Sequence, residues 1–291
     1  MFQPIRSDHA MASTYSTSLS WSRDKSRLSF HIMWSIPQSR DIQSRKLQAI
    51  KYSIRDICPN NSLKELIDHS YPDIHNRQND SYFAKQCILC PRNRDVEEIN
   101  SIMMDAFPGP VYEMWAVDKA VDPDDPLNIN STYTPEFLRS LTPSGFPPAL
   151  LKLKIRAPII VLRNLQPKQG VCNGSRDIIT RMTRRVLEVR LLSGNYVLLP
   201  WIKLIYTDPE MPYHLHCLQF PVNLAFAMTI NKSQGQSFAN VGVDLRKPCF
   251  THGQLYVALS RARSASSIKC IVDKSNTVQQ TVNMVFKEVI L

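Results

Sequence analysis

Glycine is the first scarcity: the chain has eight in 291 residues, followed in turn by Pro, Phe, Val, Ser, Asn, Gln, Val and Gln. None precedes a lysine. The loop Gly-x-x-x-x-Gly-Lys-Ser/Thr, whose amides cradle phosphates while Lys and Ser/Thr serve phosphate and Mg²⁺, is therefore absent. Long apolar runs are missing as well, and no window approaches the roughly 18 residues of a membrane span. The opening MFQPIRSDHAMAST holds no apolar leader core, so a nuclear or cytoplasmic chain without membrane association is expected. Seven cysteines, an odd number in a long chain, exclude a secreted disulfide scaffold and suit reduced thiols. No Ser/His/Asp or Cys/His nucleophile can be assembled from the spacing.

What is present is an uneven charge. The net +10 divides into +3 over 1–80, −5 over 81–150 and +12 over 151–291, with 10 basic against 2 acidic residues in 151–190. Such a concentration favours a polyanion, nucleic acid first among them. A basic face kept for solubility is the equal alternative.

Residues 1–60 are serine-rich and follow no sustained apolar period, so a poorly ordered remnant is expected there. Ser62-x-x-Glu65 and Asp95-x-x-Glu98 are capping boxes that start helices. Between them QCILC (86–90), halted by Pro91, suits a buried strand, which makes the strand–turn–helix half of a parallel α/β unit. Residues 108–134 read as a loop, and Thr134-Pro135 starts a brief helix. From 151 the period becomes two: Leu151, Leu153 and Ile155 alternate with Lys152, Lys154 and Arg156, one face apolar and the other cationic. Several short strands up to 205 read as a small antiparallel barrel. LAFAMT (224–229), VGVDL (241–245) and IKCIV (268–272) then restore buried strands, with a helix at 252–262. The expected architecture is an α/β domain with a small β domain inserted into it.

Two segments could carry chemistry. Thr229-Ile-Asn-Lys-Ser-Gln-Gly235 follows an apolar strand, and polar residues at the C-terminal end of a parallel strand face the usual ligand crevice. Lys232 is a point charge for phosphate, Thr229, Asn231 and Ser233 are neutral donors, and Gly235 admits close backbone approach. An ordinary strand-to-helix loop is the alternative. Thr251-x-x-Gln254 caps LYVALSRAR, which places Arg261 and Arg263 at a helix end. There an arginine complements the helix dipole or stabilises a transferring phosphoryl group. Cys87, Cys90, His214 and His216 have zinc-ligand types, but Cys87 and Cys90 on a strand would point to opposite faces, so no metal is expected.

Together these segments are telling. FPVNLAFAMTINKSQGQSF followed by VGVDLRKPCFTHGQLYVALSRARS resembles motifs V and VI of Pif1-like DNA helicases, nearest the Helitron-type branch. CILCPRNRDVEEIN looks like the motif IV region of the second RecA-like domain, and TPEFLRSLTPSGFPPALLKLKIRAPIIVLRNLQPKQGVCNGSR like the inserted SH3-like 2B domain. The resemblance covers about 66–273. It implies an α/β, RecA-like (P-loop NTPase type) fold: a remnant at 1–60, domain 2A at 61–133 and 206–291, and the 2B domain at 134–205.

The family's activity is ATP-dependent 5′–3′ DNA unwinding, with roles in repair, recombination, telomeres or transposition. By the resemblance, Arg261 matches an arginine finger, and Gln234 and Gly235 match residues near the nucleotide. Thr229, Asn231 and Lys232 match residues near DNA, joined by the basic face of Lys152, Lys154 and Arg156. Many relatives carry His where Asn231 stands. The family's Asn-Met-Arg arginine has no counterpart; HIMWS (31–35) falls near its place. The ATP-binding half and its Mg²⁺-holding carboxylates are missing, so ATP and Mg²⁺ belong to the intact family and are not expected to bind stably here. The expected partners are single-stranded DNA and an intact helicase or transposase domain. The alternative is a non-catalytic single-stranded nucleic-acid-binding module.

Overall fold

The computed structural model describes residues 47–53, 58, 60–72, 74, 80–123, 132–273 and 280–286. Its first part comprises β1 (Leu47–Ser53), α1 (Leu63–Ser70), the single turn α2 (Asp80–Ala84), β2 (Gln86–Cys90) and α3 (Asn93–Ala106). Then come β3 (Tyr112–Trp115), β4 (Val117–Val121), α4 (Pro135–Ser140), β5 (Leu150–Leu153) and β6 (Pro158–Val161). Six more strands follow: β7 (Arg176–Met182), β8 (Val186–Arg190), β9 (Tyr196–Pro200), β10 (Ile202–Tyr206), β11 (His214–Gln219) and β12 (Val222–Leu224). The chain ends its described course with β13 (Ala227–Thr229), β14 (Asn240–Leu245), α5 (Gln254–Leu259), β15 (Ile268–Val272) and β16 (Gln280–Phe286). Among the described residues, no helix is long and apolar enough to cross a membrane.

A four-stranded parallel sheet, ordered β13-β2-β14-β15, is the frame. QCILC is buried at every position of β2, as a strand covered on both faces must be. Cys87 and Leu89 join Leu255 and Ala258 of α5 on one face, while Ile88 and Cys90 join Leu66 of α1 and Ile99 and Met103 of α3 on the other. Gly242 lets α1 lie directly on β14: a Cβ there would collide with the Ser70 hydroxyl and sit 3.1 Å from Leu66 Cγ and 3.2 Å from Ile88 Cγ1.

The helix starts follow local chemistry, with two corrections. The Ser62 hydroxyl accepts from Glu65 N at 3.2 Å and caps α1, and Thr134 caps α4 the same way. Helix α3 begins at Asn93, ahead of the expected Asp95 box, and its N-cap Arg92 makes no side-chain cap bond. Helix α5 spans Gln254–Leu259 rather than 252–262, because Gly253 takes φ 67° at the N-cap, a conformation that cannot continue a right-handed helix. The Gln254 side chain still reaches back, accepting from Phe250 N at 3.1 Å.

The expected loop at 108–134 is overturned in part. Its residues form β3, which pairs antiparallel with β5, and β4, which pairs antiparallel with β11. A five-stranded antiparallel sheet, β12-β6-β7-β8-β9, and a three-stranded one, β10-β11-β4, complete the insertion. Leu151, Leu153, Ile159, Val161, Leu187, Val189 and Phe220 fill its interior. LAFAMT is broken into β12 and β13 at Ala225 and Phe226. Asn100 of α3 bridges the break, donating to Leu224 O and Ala227 O and accepting from Ala227 N at 2.8 Å.

The expected remnant at 1–60 also gives way in part. Strand β1 pairs antiparallel with β16, Leu47 opposite Phe286, and Cys58 is buried with its N–H on Cys270 O at 2.9 Å. Trp21, Phe30, Ile32 and Trp34 lie outside the described residues.

Candidate functional site

The segment after β13 travels the height of the sheet. Thr229 closes β13 at the C-terminal end, a 3-10 turn takes Ile230–Ser233, and Ala239 N donates to Lys85 O just before β2 begins. Ile230 and Phe238 anchor the crossing in the core. Gln234 and Gly235 are therefore carried away from the crevice at the strand C-termini towards the end where the strands start. Asn231, Lys232, Gln234 and Gly235 are exposed, and Gly235 takes φ 78°. Burial lowers the Lys232 ammonium from its ordinary value although its side chain reaches the surface.

Arg261 lies beyond α5 and clasps this segment. Its Nη1 donates to Gln236 O at 2.9 Å and Ser233 O at 3.4 Å, its Nε to Val257 O at 3.0 Å, and its Nη2 to Ser260 Oγ at 2.9 Å. The backbone repeats the join, with Phe238 N on Arg261 O at 3.0 Å. Four of the five guanidinium donors are engaged in these bonds, which leaves one for a ligand without rearrangement. Arg263 points to solvent.

The cationic face expected at 152–156 breaks after one residue. Lys152 is exposed and paired with Glu113 at 3.4 Å. Lys154 is buried, and its ammonium donates to Met104 O at 2.7 Å and to Phe107 O. It closes the C-terminal carbonyls of α3, where a cation also meets the negative end of the helix dipole. The reading of Lys154 as a DNA contact is corrected accordingly. Strand β5 stops at Leu153, and Arg156 sits in a turn at φ 72°, so the two-residue alternation has no strand left to act on.

Arg176 was legible only as part of a basic run. In the fold it is buried, with Nε on Ala225 O at 3.0 Å, Nη1 on Ala84 O at 3.1 Å and Nη2 near the Tyr71 hydroxyl at 3.3 Å. The Phe238 ring lies 5.4 Å from the guanidinium. One side chain of β7 thus ties the insertion to the parallel sheet. Gln236 adds a second tie, donating to Gly174 O at 3.2 Å. No motif marked either residue.

Cys87 and Cys90 face opposite cores, and His214 and His216 belong to β11, so the four cannot share one ion. Burial pushes the Cys87 thiol up to about 11, which keeps it protonated at neutral pH. For a nucleotide the fit is partial. Gly235 has open space around it and Arg261 one spare donor, which suits the terminal phosphate alone.

A family model described as DNA helicase Pif1, 2B domain, matches residues 136–182. The mouse ATP-dependent DNA helicase PIF1 is 31% identical over 198 residues, which is 65% of this chain and 27% of that protein. The Pif1 helicase of Bdellovibrio bacteriovorus is 36% identical over 121 residues, 42% of this chain and 27% of its own length. The chain spans about a quarter of the length of these relatives. The crystal structure of Pif1 helicase from Candida albicans shares the fold, with a TM-score of 0.52 at 20% identity over 79% of this chain and 53% of that one.

Proposed function

We propose that this chain, the C-terminal half of a Pif1-like DNA helicase, presents a phosphate-facing arginine and a surface for single-stranded DNA. The parallel sheet is then domain 2A. The strand pairing from Tyr112 to Leu224 supports an inserted 2B domain wider than 134–205.

The clasp of Arg261 on Ser233 O and Gln236 O, beside exposed Gln234 and Gly235, carries the reading. It puts a guanidinium and an open backbone segment on one edge, where a second RecA-like domain would bring ATP and Mg²⁺. When bound, that group supplies phosphoryl transfer. This chain's share is charge stabilisation by Arg261 once its carbonyl contacts yield, with Gln234 and Gly235 alongside. Thr229, Asn231, Lys232, Lys152 and Arg156 are the proposed DNA contacts.

Without a phosphate loop the chain alone hydrolyses no ATP. The expected outcome is no phosphate release above background, with single-strand binding that weakens steeply with salt. In fluorescence anisotropy with a 20-mer of thymidine, Lys152→Ala and Lys232→Ala together lower the salt slope by about 1.4, near 0.7 per contact. ATP turnover that disappears in Arg261→Lys, or an unchanged slope in the double variant, overturns the reading. The engaged donors of Arg261 favour the second reading, a binding module without catalysis, for the chain on its own.

A further inference from the structure

The three-stranded sheet β10-β11-β4 turns one face to the core and leaves most of the other exposed, with Val121 buried at its end. The register fixes which residues share the open face: Ile205 and Lys119 flank His216, and Lys203 lies opposite Leu218. His214 has the same parity, two residues before His216. Eight positions of the three strands point this way, four of them Lys or His and four aliphatic, with no carboxylate. The described acids of the neighbourhood are off this face: Asp118 turns to the opposite side against Cys217, Asp122 follows the end of β4, and Asp208 and Glu210 sit in the β10–β11 turn. Lys119 and Lys203 are exposed, and among the described residues no carboxylate lies within ion-pair distance of either.

In a chain with 25 acidic residues, the charged residues of this face are two lysines and no acid. Solvated faces ordinarily mix signs, because like charges directly across a sheet repel. The two lysines sit on the outer strands, Lys119 in register with His216 and Lys203 with Leu218, so two strand spacings across and two residues along place them about 12 Å apart. Ile205, 49% exposed, offers an apolar floor. We infer that this open face is a second nucleic-acid contact, separate from the segment at 229–235, in which Lys119 and Lys203 hold backbone phosphates and His216 tunes the grip with pH.

The tuning has a sign. Burial, then Lys203 and His214, holds His216 below its ordinary value. A phosphate above it opposes the repulsion, so binding takes up a proton and tightens as pH falls below neutrality. The groups facing His216 from neighbouring strands are Lys119 and Ile205, and on the described strands no carboxylate shares its face.

The test uses the full chain and a fluorescent 20-mer of thymidine in anisotropy. Lys119→Ala with Lys203→Ala, both on exposed side chains, should leave the melting temperature unchanged. It should also weaken binding about tenfold at 50 mM salt and lower the salt slope by about 1.4. His216→Gln should retain binding at pH 7.5 and abolish its tightening towards pH 5.5. Unchanged affinity and slope in the lysine variant overturn the inference, as does a pH response that survives in the histidine variant. Loss in the Lys152/Lys232 variant with no loss in the Lys119/Lys203 variant sinks this face and spares the proposed function. The reverse pattern does the opposite, and no binding by the parent chain overturns both.

Discussion

The parallel sheet and the inserted antiparallel sheets treat charge in opposite ways. In the first, β2 and β14 are covered on both faces by helices and crossing segments, and polar side chains appear mainly where a strand ends, as at Asp244 against Arg246. In the second, only β6 and the start of β7 are covered on both faces, where they meet the parallel sheet; the outer strands β8, β9, β10 and β11 alternate buried and more exposed positions, and cations remain on an exposed face, as on β10, β11 and β4. A lysine in the insertion therefore has no meaning until its face is known. Lys152 and Lys154 are two residues apart, yet one stands in solvent and the other closes a helix.

Three substitutions sharpen this contrast. The largest effect is expected in the doubly covered sheet: Gly242→Val pushes a branched side chain into Ser70, Leu66 and Ile88. It should destabilise by more than about 3 kcal/mol, the upper end of ordinary overpacking. Urea denaturation measures it, and a loss below 1 kcal/mol, estimated on the same scale, would mean α1 does not lie on β14.

At the junction of the two regions, Arg176→Ala strips hydrogen bonds from Ala225 O and Ala84 O. A loss of about 2–3 kcal/mol is expected, since buried acceptors are left unpaired. Proteolysis should then cut the insertion before the parallel sheet. Equal protection of both parts would show that Arg176 is no tie.

The smallest effect lies inside the insertion. Asp177 is buried with Ser175 as its hydroxyl donor, and burial raises its carboxyl to about 6. A raised folded pKa means the native state holds its proton more tightly, so the group costs most above about pH 6 and the cost fades towards the unfolded value near 4. Asp177→Asn should stabilise by up to about 2 kcal/mol at pH 7.5, with no gain at pH 4. A pH-independent difference between the two melting curves would count against it.

Legibility followed the same division. QCILC, VGVDL and IKCIV are mostly apolar runs, each with one polar or charged side chain, and all three are strands of the parallel sheet, because burial on both faces leaves little room for polar residues. Thr229 to Gly235 and Arg261 could be picked out by residue type, and the fold brings Ser233, Gln236 and Arg261 together. Strands β3 and β4 were missed because four- and five-residue segments amid Pro and Asp carry almost no periodic signal. They exist because β5 and β11 offer them edges. Arg176 and Gln236 were invisible for a similar reason: their partners are backbone carbonyls, which every sequence has.

The amino-acid order by itself determined which runs must be buried, where Ser62 and Thr134 could start helices, and that no phosphate loop is present. These are consequences of side-chain type and of spacing along a few residues. Only the tertiary structure decided that Lys154 caps a helix while Lys152 does not, that the segment after Thr229 crosses the sheet to meet Arg261, and that β10, β11 and β4 share an acid-free face. Each of these depends on which distant backbone lies within a few ångströms of a side chain, a relation set by packing between segments and by no local period.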